Sequence, residues 1–559
     1  MFKKSNKHNQ VDLFCGVPSI LEGKSLVQYN NKEGWHNQFR KQIVSRIDES
    51  IFKVLFNEKM GAPNASVSLL IGMMILKDSS GWSDLQLFEN CRFNLLTRSA
   101  LGLFNLNDDI PTDSTYYLFR KRIHEHQRLH NEDLLEKTFE LITRQQIIDF
   151  EVNGKNIRMD SKLIGSNIAY FSRYEIIHQT LTLFYKTLKN INLSQFSEDE
   201  KQQLKNLLEE EPVKTVYRSS KDEIQTRMQS IGILVHKTLQ VFSEQKSEQY
   251  LLLQRVFQEQ YKVDEGQKVL LRPKEEIISG SVQSPHDPDS AYRHKVDQKV
   301  KGYSVNITET ITKGQLNLIT NVIVDKANVS DTIFVQPAIE NTIAITGMPV
   351  EKVYADGAYQ SPNNDQYCQN IDMVFTGIQG AISRFDLKLT PECLFVTDSQ
   401  TGKLYKAFLA KKMKNSKEDK WVIETDEGRF YFNQQAIRTS HMRRLMKQRP
   451  LEESQKRNNV ESTMNHLGCP LRNSKSKYRR LIKIQMWAIC RCLWINLIRI
   501  INYLEQTCQR TTKKLRCAAL LFNSWIDSAL QESYYRKLIR QISYFVSLIF
   551  FSNINQFSG

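Results

Sequence analysis

Apolar residues recur at spacing four in Ile43, Ile47, Ile51 and Leu55, which draws one stripe along a helix. Residues 66–75, just after Pro63, and 82–96 carry two further helical patterns. Ile110-Pro111-Thr112 breaks the run, and Thr112 or Asp113 is placed to cap a helix over 115–126. Residues 132–147 continue the pattern. Residues 37–150 therefore read as an all-helical N-terminal domain, with 1–36 as an irregular lead-in.

The period changes near Lys155. Residues 155–162 read as a strand that ends at Asp160. Residues 171–285 return to helical spacing, with Ile224, Met228, Ile231, Val235, Leu239 and Phe242 on one stripe. They read as a helical insertion whose charges are solvated faces. Residues 302–308 alternate with period two, and 316–324 follow a turn at Lys313-Gly314, which predicts a hairpin. A helix over 331–345 leads to Val353-Tyr354-Ala355-Asp356-Gly357, a buried strand that ends in a carboxylate at a turn. Residues 373–378 give one more strand.

Residues 384–450 read as a second, basic insertion, with short strands at 405–408 and 429–432 and a basic loop over 411–420. A helix over 452–467 carries Glu461. An apolar helix over 481–504 and a helical tail over 506–559 complete the chain. The expected architecture is α/β: a mixed-sheet core over 151–170, 286–383 and 451–505, interrupted twice.

Composition changes the picture in one respect. Lys and Arg number 77 against 61 Asp and Glu, a net charge of +16, which points to a polyanionic partner such as nucleic acid. Nine cysteines lack any C-x-x-C pair and fit a reducing compartment rather than a zinc or disulfide framework. The basic start, Met1 to Lys7, has no apolar stretch, and the apolar tail at 544–551 is too short to span a bilayer. A cytoplasmic, nucleoid-associated protein without a membrane partner is the expectation.

Three carboxylates stand out as chemistry: Asp160, Asp356 and Glu461. Asp160 and Asp356 would lie on adjacent strands, with the Glu461 helix packed beside them. Clustered carboxylates repel and call for cations, and all-oxygen ligands suit Mg²⁺ or Mn²⁺. Two such ions can cleave a phosphodiester. Arg457 lies four residues before Glu461 and could hold a phosphate or simply pair with Glu461. Arg120, Lys121, Arg122, Arg443 and Arg444 are candidate DNA contacts.

The segments RMDSKLIGSN around Asp160, VYADGAYQSPNN around Asp356 and RNNVESTMNHL around Glu461 together resemble the DDE transposases of bacterial insertion sequences. The nearest groups are IS4/IS5-like and, closest, IS1182-like. IPTDSTYYLFRKR in the helical region and Lys301-Gly302-Tyr303 resemble the same family. The resemblance implies an RNase H-like catalytic core and two Mg²⁺ or Mn²⁺ ions held by Asp160, Asp356 and Glu461. It also implies double-stranded DNA partners, the terminal inverted repeats and target DNA, and a homodimer in the DNA complex. The chain departs from the IS4 signature at Ser454 and Gly468, where that signature has tyrosine and lysine. A nuclease of the same core without strand transfer, or a DNA-binding protein with an inactive site, stay open as alternatives.

Overall fold

The computed structural model describes residues 1–4, 16–57, 61–188, 193–295, 298–378, 383–410, 420–529 and 544, with backbone alone at 454 and 510–529. The expected basic loop over 411–420 lies, apart from Lys420, outside the described residues, as does most of the tail beyond 529.

Six strands build the central sheet: β1 (Asn156–Gly165), β2 (Ala291–Lys295), β3 (Gln298–Thr310), β4 (Ile319–Lys326), β5 (Lys352–Ala355) and β6 (Asp372–Phe375). β3 pairs antiparallel with β1 along one edge; on its other edge, β2 takes the first half and β4 the second. β1, β5 and β6 are parallel. The hairpin expected over 302–324 is β3–β4, and the helix expected over 331–345 is a 3₁₀ turn at Asp331–Phe334 running into Val335–Thr346.

Both faces of this sheet are covered, so it is a mixed α/β core. Ile157 and Met159 of β1, with Val353 and Ala355 of β5, pack against Val335, Ala338 and Ile339 of the following helix. On the other face Ile164, Tyr303, Val305 and Ile307 join one core with N-terminal residues such as Phe39, Leu70 and Phe139 and with Ile484 to Ile501 of the C-terminal helix. The N-terminal helices therefore share a core with the sheet instead of closing a core of their own.

That C-terminal helix, Leu481–Ala529, is far longer than the apolar 481–504 pattern. Its apolar stretch would be long enough to cross a membrane, but 78% of it is buried within the protein. The Asn496 amide donates to the Ile319 carbonyl (3.0 Å) and accepts from its N–H (2.8 Å), closing the β4 edge.

Several elements differ from the sequence reading. Helices Val17–Ile20 and Gly23–Asn30 occupy the expected lead-in. The spacing-four stripe is not one helix: Trp35–Gln42 gives way to 3₁₀ turns at Val44–Arg46 and Glu49–Leu55, although Ile43 and Ile47 are still fully buried. Spacing four fits consecutive tight turns facing one core as well as it fits a helix. The stripe from Ile224 to Phe242 ends with its helix, Lys221–Val241, and a separate helix, Glu248–Gln260, packs beside it. The region 384–450 holds a five-stranded antiparallel meander, Phe385–Leu389 through Gly428–Phe432, where two short strands were expected. Its helix, Gln434–Gln448, covers a small core of Leu394, Val396 and Ile423.

Candidate active site

Register brings the two aspartates level. β1 and β5 pair Asn156 with Lys352 and Arg158 with Tyr354, an offset of 352 − 156 = 196, and Asp160 and Asp356 share it (356 − 160 = 196). Side chains alternate, so Asp160 and Asp356 lie on the face opposite to Met159 and Ala355. β5 ends at Ala355, and the Asp356 carboxylate accepts from the Ala358 N–H, capping the 3₁₀ turn Gly357–Tyr359. A Cβ at Gly357 would come within 2.2 Å of the Gly377 carbonyl oxygen, so only glycine allows this turn to close against the β6 exit. Asp160 does not end its strand as expected. β1 runs on to Gly165 because β3 keeps pairing with it after β5 has stopped.

The third segment arrives from the opposite side. The helix expected over 452–467 is broken into Leu451–Gln455 and Asn459–Gly468, and Arg457 sits in the turn between them. From there its guanidinium reaches all three candidate carboxylates: Asp160 at 3.1 Å, Glu461 at 3.8 Å and Asp356 at 4.0 Å. Arg457 is nearly buried at 11% side-chain exposure, whereas Glu461 is open at 63%. One positive charge faces three negative ones. Burial pushes the Asp160 carboxyl above its ordinary value, Arg457 opposes this, and the neighbouring Asp356 adds to it.

Glu453, which lies close to Glu461 in sequence, is used elsewhere. It accepts from Tyr354 Oη (2.7 Å), Lys456 (2.6 Å) and Lys352 (3.2 Å), and these hydrogen bonds, Lys456 foremost, hold its pKa down to about 2. Glu461, by contrast, pairs with the same Arg457 guanidinium that meets the aspartates.

Pattern reading missed the group that fixes this geometry. Glu309 of β3 is fully buried, opposite Arg158 of β1, and is ion-paired to both Arg158 and Arg499. Thr463 Oγ1 donates to Glu309 (2.8 Å), and Arg158 donates to the Lys456 carbonyl (3.0 Å). One carboxylate therefore ties the strand two residues before Asp160, the turn beside Arg457 and the helix two residues after Glu461. The alternating pattern 302–308 stops one residue short of it.

The expected DNA contacts divide. Arg120 is turned inward: its guanidinium lies over the rings of Tyr478 (5.1 Å) and Tyr116 (5.5 Å), next to the buried Asp78 that accepts from Tyr478. Arg122 lies over Phe56 (5.5 Å) and Arg444 pairs with Asp386 (2.8 Å), so neither projects freely. Lys121 is exposed and loosely paired with Glu125 (3.6 Å), and Arg443 is half-buried. At Gly468, the position of the signature lysine, the Lys162 ammonium from β1 stands 2.9 Å from where a Cβ would be, and donates to the Met464 carbonyl (3.0 Å).

The donor set is all oxygen, which suits a hard divalent cation, and the two level aspartates offer ligands from a rigid sheet. As the side chains stand, the Arg457 guanidinium bridges the carboxylates. No three of them are grouped tightly enough among the described residues to hold one ion.

Residues 27–122 match the family model "Transposase domain (DUF772)". No curated protein sequence matches the chain. Among solved structures, the cryo-EM structure of the piggyBac transposase synaptic complex with hairpin DNA is similar at a TM-score of 0.30 and 9% identity, over 91% of this chain and 84% of that one.

Proposed function

We propose that this protein is a DDE transposase that cleaves DNA at the terminal inverted repeats of an insertion sequence and joins the freed 3′-hydroxyls to target DNA. The observation that carries this reading is the convergence of Asp160, Asp356 and Glu461, from three distant segments, on one guanidinium. The strand order β4–β3–β1–β5–β6, three antiparallel strands followed by two parallel ones, supports an RNase H-like core. The matched domain over 27–122 and the net charge of +16 support a DNA substrate.

Asp160, Asp356 and Glu461 would hold two Mg²⁺ or Mn²⁺ ions. When bound, such ions supply charge that activates a water or 3′-hydroxyl and stabilises the leaving oxygen. The protein's own part is positioning. β1 and β5 fix the aspartates level, the Glu309 network fixes the Glu461 helix, and Arg457 offsets the mutual repulsion of the three carboxylates. Its planar fork also suits a phosphate oxygen. Pairing two transposon ends calls for a homodimer on DNA.

The test uses a labelled duplex carrying the element's end, incubated with Mg²⁺. Asp356→Ala should abolish cleavage while DNA binding survives; cleavage by that variant would overturn the assignment. Joining of the labelled 3′-hydroxyl end to target DNA separates transposition from simple nuclease action.

A further inference from the structure

Beyond Asp160, β1 forms one wall of an open groove of about 530 Å³. It runs along β1 from Ser161 to Gly165, where Ser161, Leu163 and Gly165 share the face of Met159, opposite to Asp160. The opposite wall is built from Arg293 and Lys295 of β2, Gln298 to Val300 of β3 and the segment 473–475. That segment is fixed to the strand: the Gly165 N–H donates to the Ser474 carbonyl (2.9 Å), and the Ser476 N–H donates to the Gly165 carbonyl (2.8 Å). The groove is thus rigidly coupled to the strand that carries Asp160.

Its charge is one-sided. Lys295, Lys299 and Lys475 line it, and among the described residues the one lining carboxylate, Asp331, is already bound by Arg293 (3.3 Å) and Ser161 (2.9 Å). Among the described residues, no carboxylate comes within 4 Å of the ammonium of Lys295, Lys299, Lys301 or Lys475. Burial pushes the Lys301 ammonium below its ordinary value, and Glu175 pulls it back.

An aromatic ring stands among these cations. Tyr170 is 57% exposed, and the ammoniums of Lys301 and Lys475 each lie 5.2 Å from its ring centroid. Its hydroxyl donates to the Lys299 carbonyl (3.4 Å), which anchors the ring at the groove. A positive groove with an exposed ring is the arrangement that holds single-stranded nucleic acid: lysines take phosphates and the ring takes an unpaired base.

We infer that this groove binds a single-stranded stretch of DNA. Lys299, Lys301 and Lys475 contact phosphates, and Tyr170 contacts a base. The inference rests on the transposase reading and adds a single-strand contact to it.

The test is fluorescence anisotropy of the full chain with a labelled 20-nucleotide single strand and with its duplex, across a salt series. Lys301→Gln with Lys475→Gln should weaken single-strand binding about ten-fold. It should also flatten the slope of log affinity against log salt by about 1.4, since each lost contact contributes roughly 0.7. Tyr170→Leu should weaken the single strand several-fold and leave the slope unchanged, a split that a general loss of structure would not produce; Lys301→Arg with Lys475→Arg should restore binding. Wild-type affinity and slope in the glutamine variant would overturn the groove. So would an equal loss on the duplex, which would make it a duplex contact. A chain whose wild type cleaves transposon-end DNA, but whose groove variants bind single strands normally, loses only this inference; a wild type that neither binds nor cleaves DNA loses the transposase reading itself.

Discussion

Two ion clusters flank the Asn459–Gly468 helix with opposite stoichiometry. In one, the carboxylate of Glu309 is enclosed by Arg158 and Arg499 and is fully buried. In the other, the guanidinium of Arg457 is surrounded by Asp160, Asp356 and Glu461, and Glu461 is largely exposed. The first is closed, with a slight excess of positive charge. It locks backbone segments together and has nothing left to offer a ligand. The second is open, with two uncompensated negative charges, and sits where β5 ends and a turn begins. Under the proposed function, an excess of like charge that the fold holds in place is where cations would bind, whereas a compensated buried pair is architecture.

Substitutions should separate the two by readout. The largest effect on activity falls on the open cluster: Asp160→Ala or Asp356→Ala should lower Mg²⁺-dependent cleavage by about 10³-fold or more, with melting temperature nearly unchanged. A collapse in melting temperature instead would make these aspartates structural and erase the contrast.

The largest effect on stability falls on the closed cluster. Glu309→Ala leaves two arginines facing each other in the interior and should cost about 3–5 kcal/mol in chemical denaturation. Glu309→Gln keeps the shape and should cost less. A Glu309→Ala protein as stable as wild type would show that the network does not hold the site.

Arg457→Gln links the two. It removes the cation that balances three carboxylates, so Mn²⁺ affinity measured without DNA should rise about ten-fold while cleavage falls. Weaker Mn²⁺ binding would mean that Arg457 mainly shapes the ligands.

The smallest effect comes from a carboxylate that, among the described residues, has no cation paired with it. Burial first, then Asp133 and Glu140, push Glu136 up to about 7. A raised folded-state value stabilises the protein below the unfolded value of roughly 4.3 and loses that contribution as pH rises through about 7. Glu136→Gln should therefore raise the melting temperature slightly at pH 8, by the equivalent of about 1 kcal/mol, and leave it unchanged at pH 4. A gain that is the same at both pH values would rule out this titration.

The open cluster was largely legible in the chain, and the closed one was not, for a physical reason. Asp356 announces itself through apolar residues that stop at Asp-Gly, and Asp160 and Glu461 through local pattern and resemblance. Glu309 matters because of a partner 151 residues away, and nothing local marks a glutamate as buried. The break between Gln455 and Asn459 escaped because Lys456, Arg457 and Asn458 include no glycine or proline. Arg120 shows the same limit for charge. Its place in a basic run suggested a DNA contact, but one helix turn carries both outward and inward positions, and Arg120 points inward to two tyrosines. The lysines around Tyr170 come from two separate segments, so the basic run that includes Lys475 did not reveal its neighbour Lys301.

The account rests on the open cluster being a divalent-cation site. Calorimetric titration of the full chain with Mn²⁺, comparing wild type with an Asp160→Ala, Asp356→Ala double variant, tests this most directly. The account predicts saturable binding in the wild type that disappears in the double variant while its melting temperature is kept. Equal Mn²⁺ binding by the two proteins would contradict it.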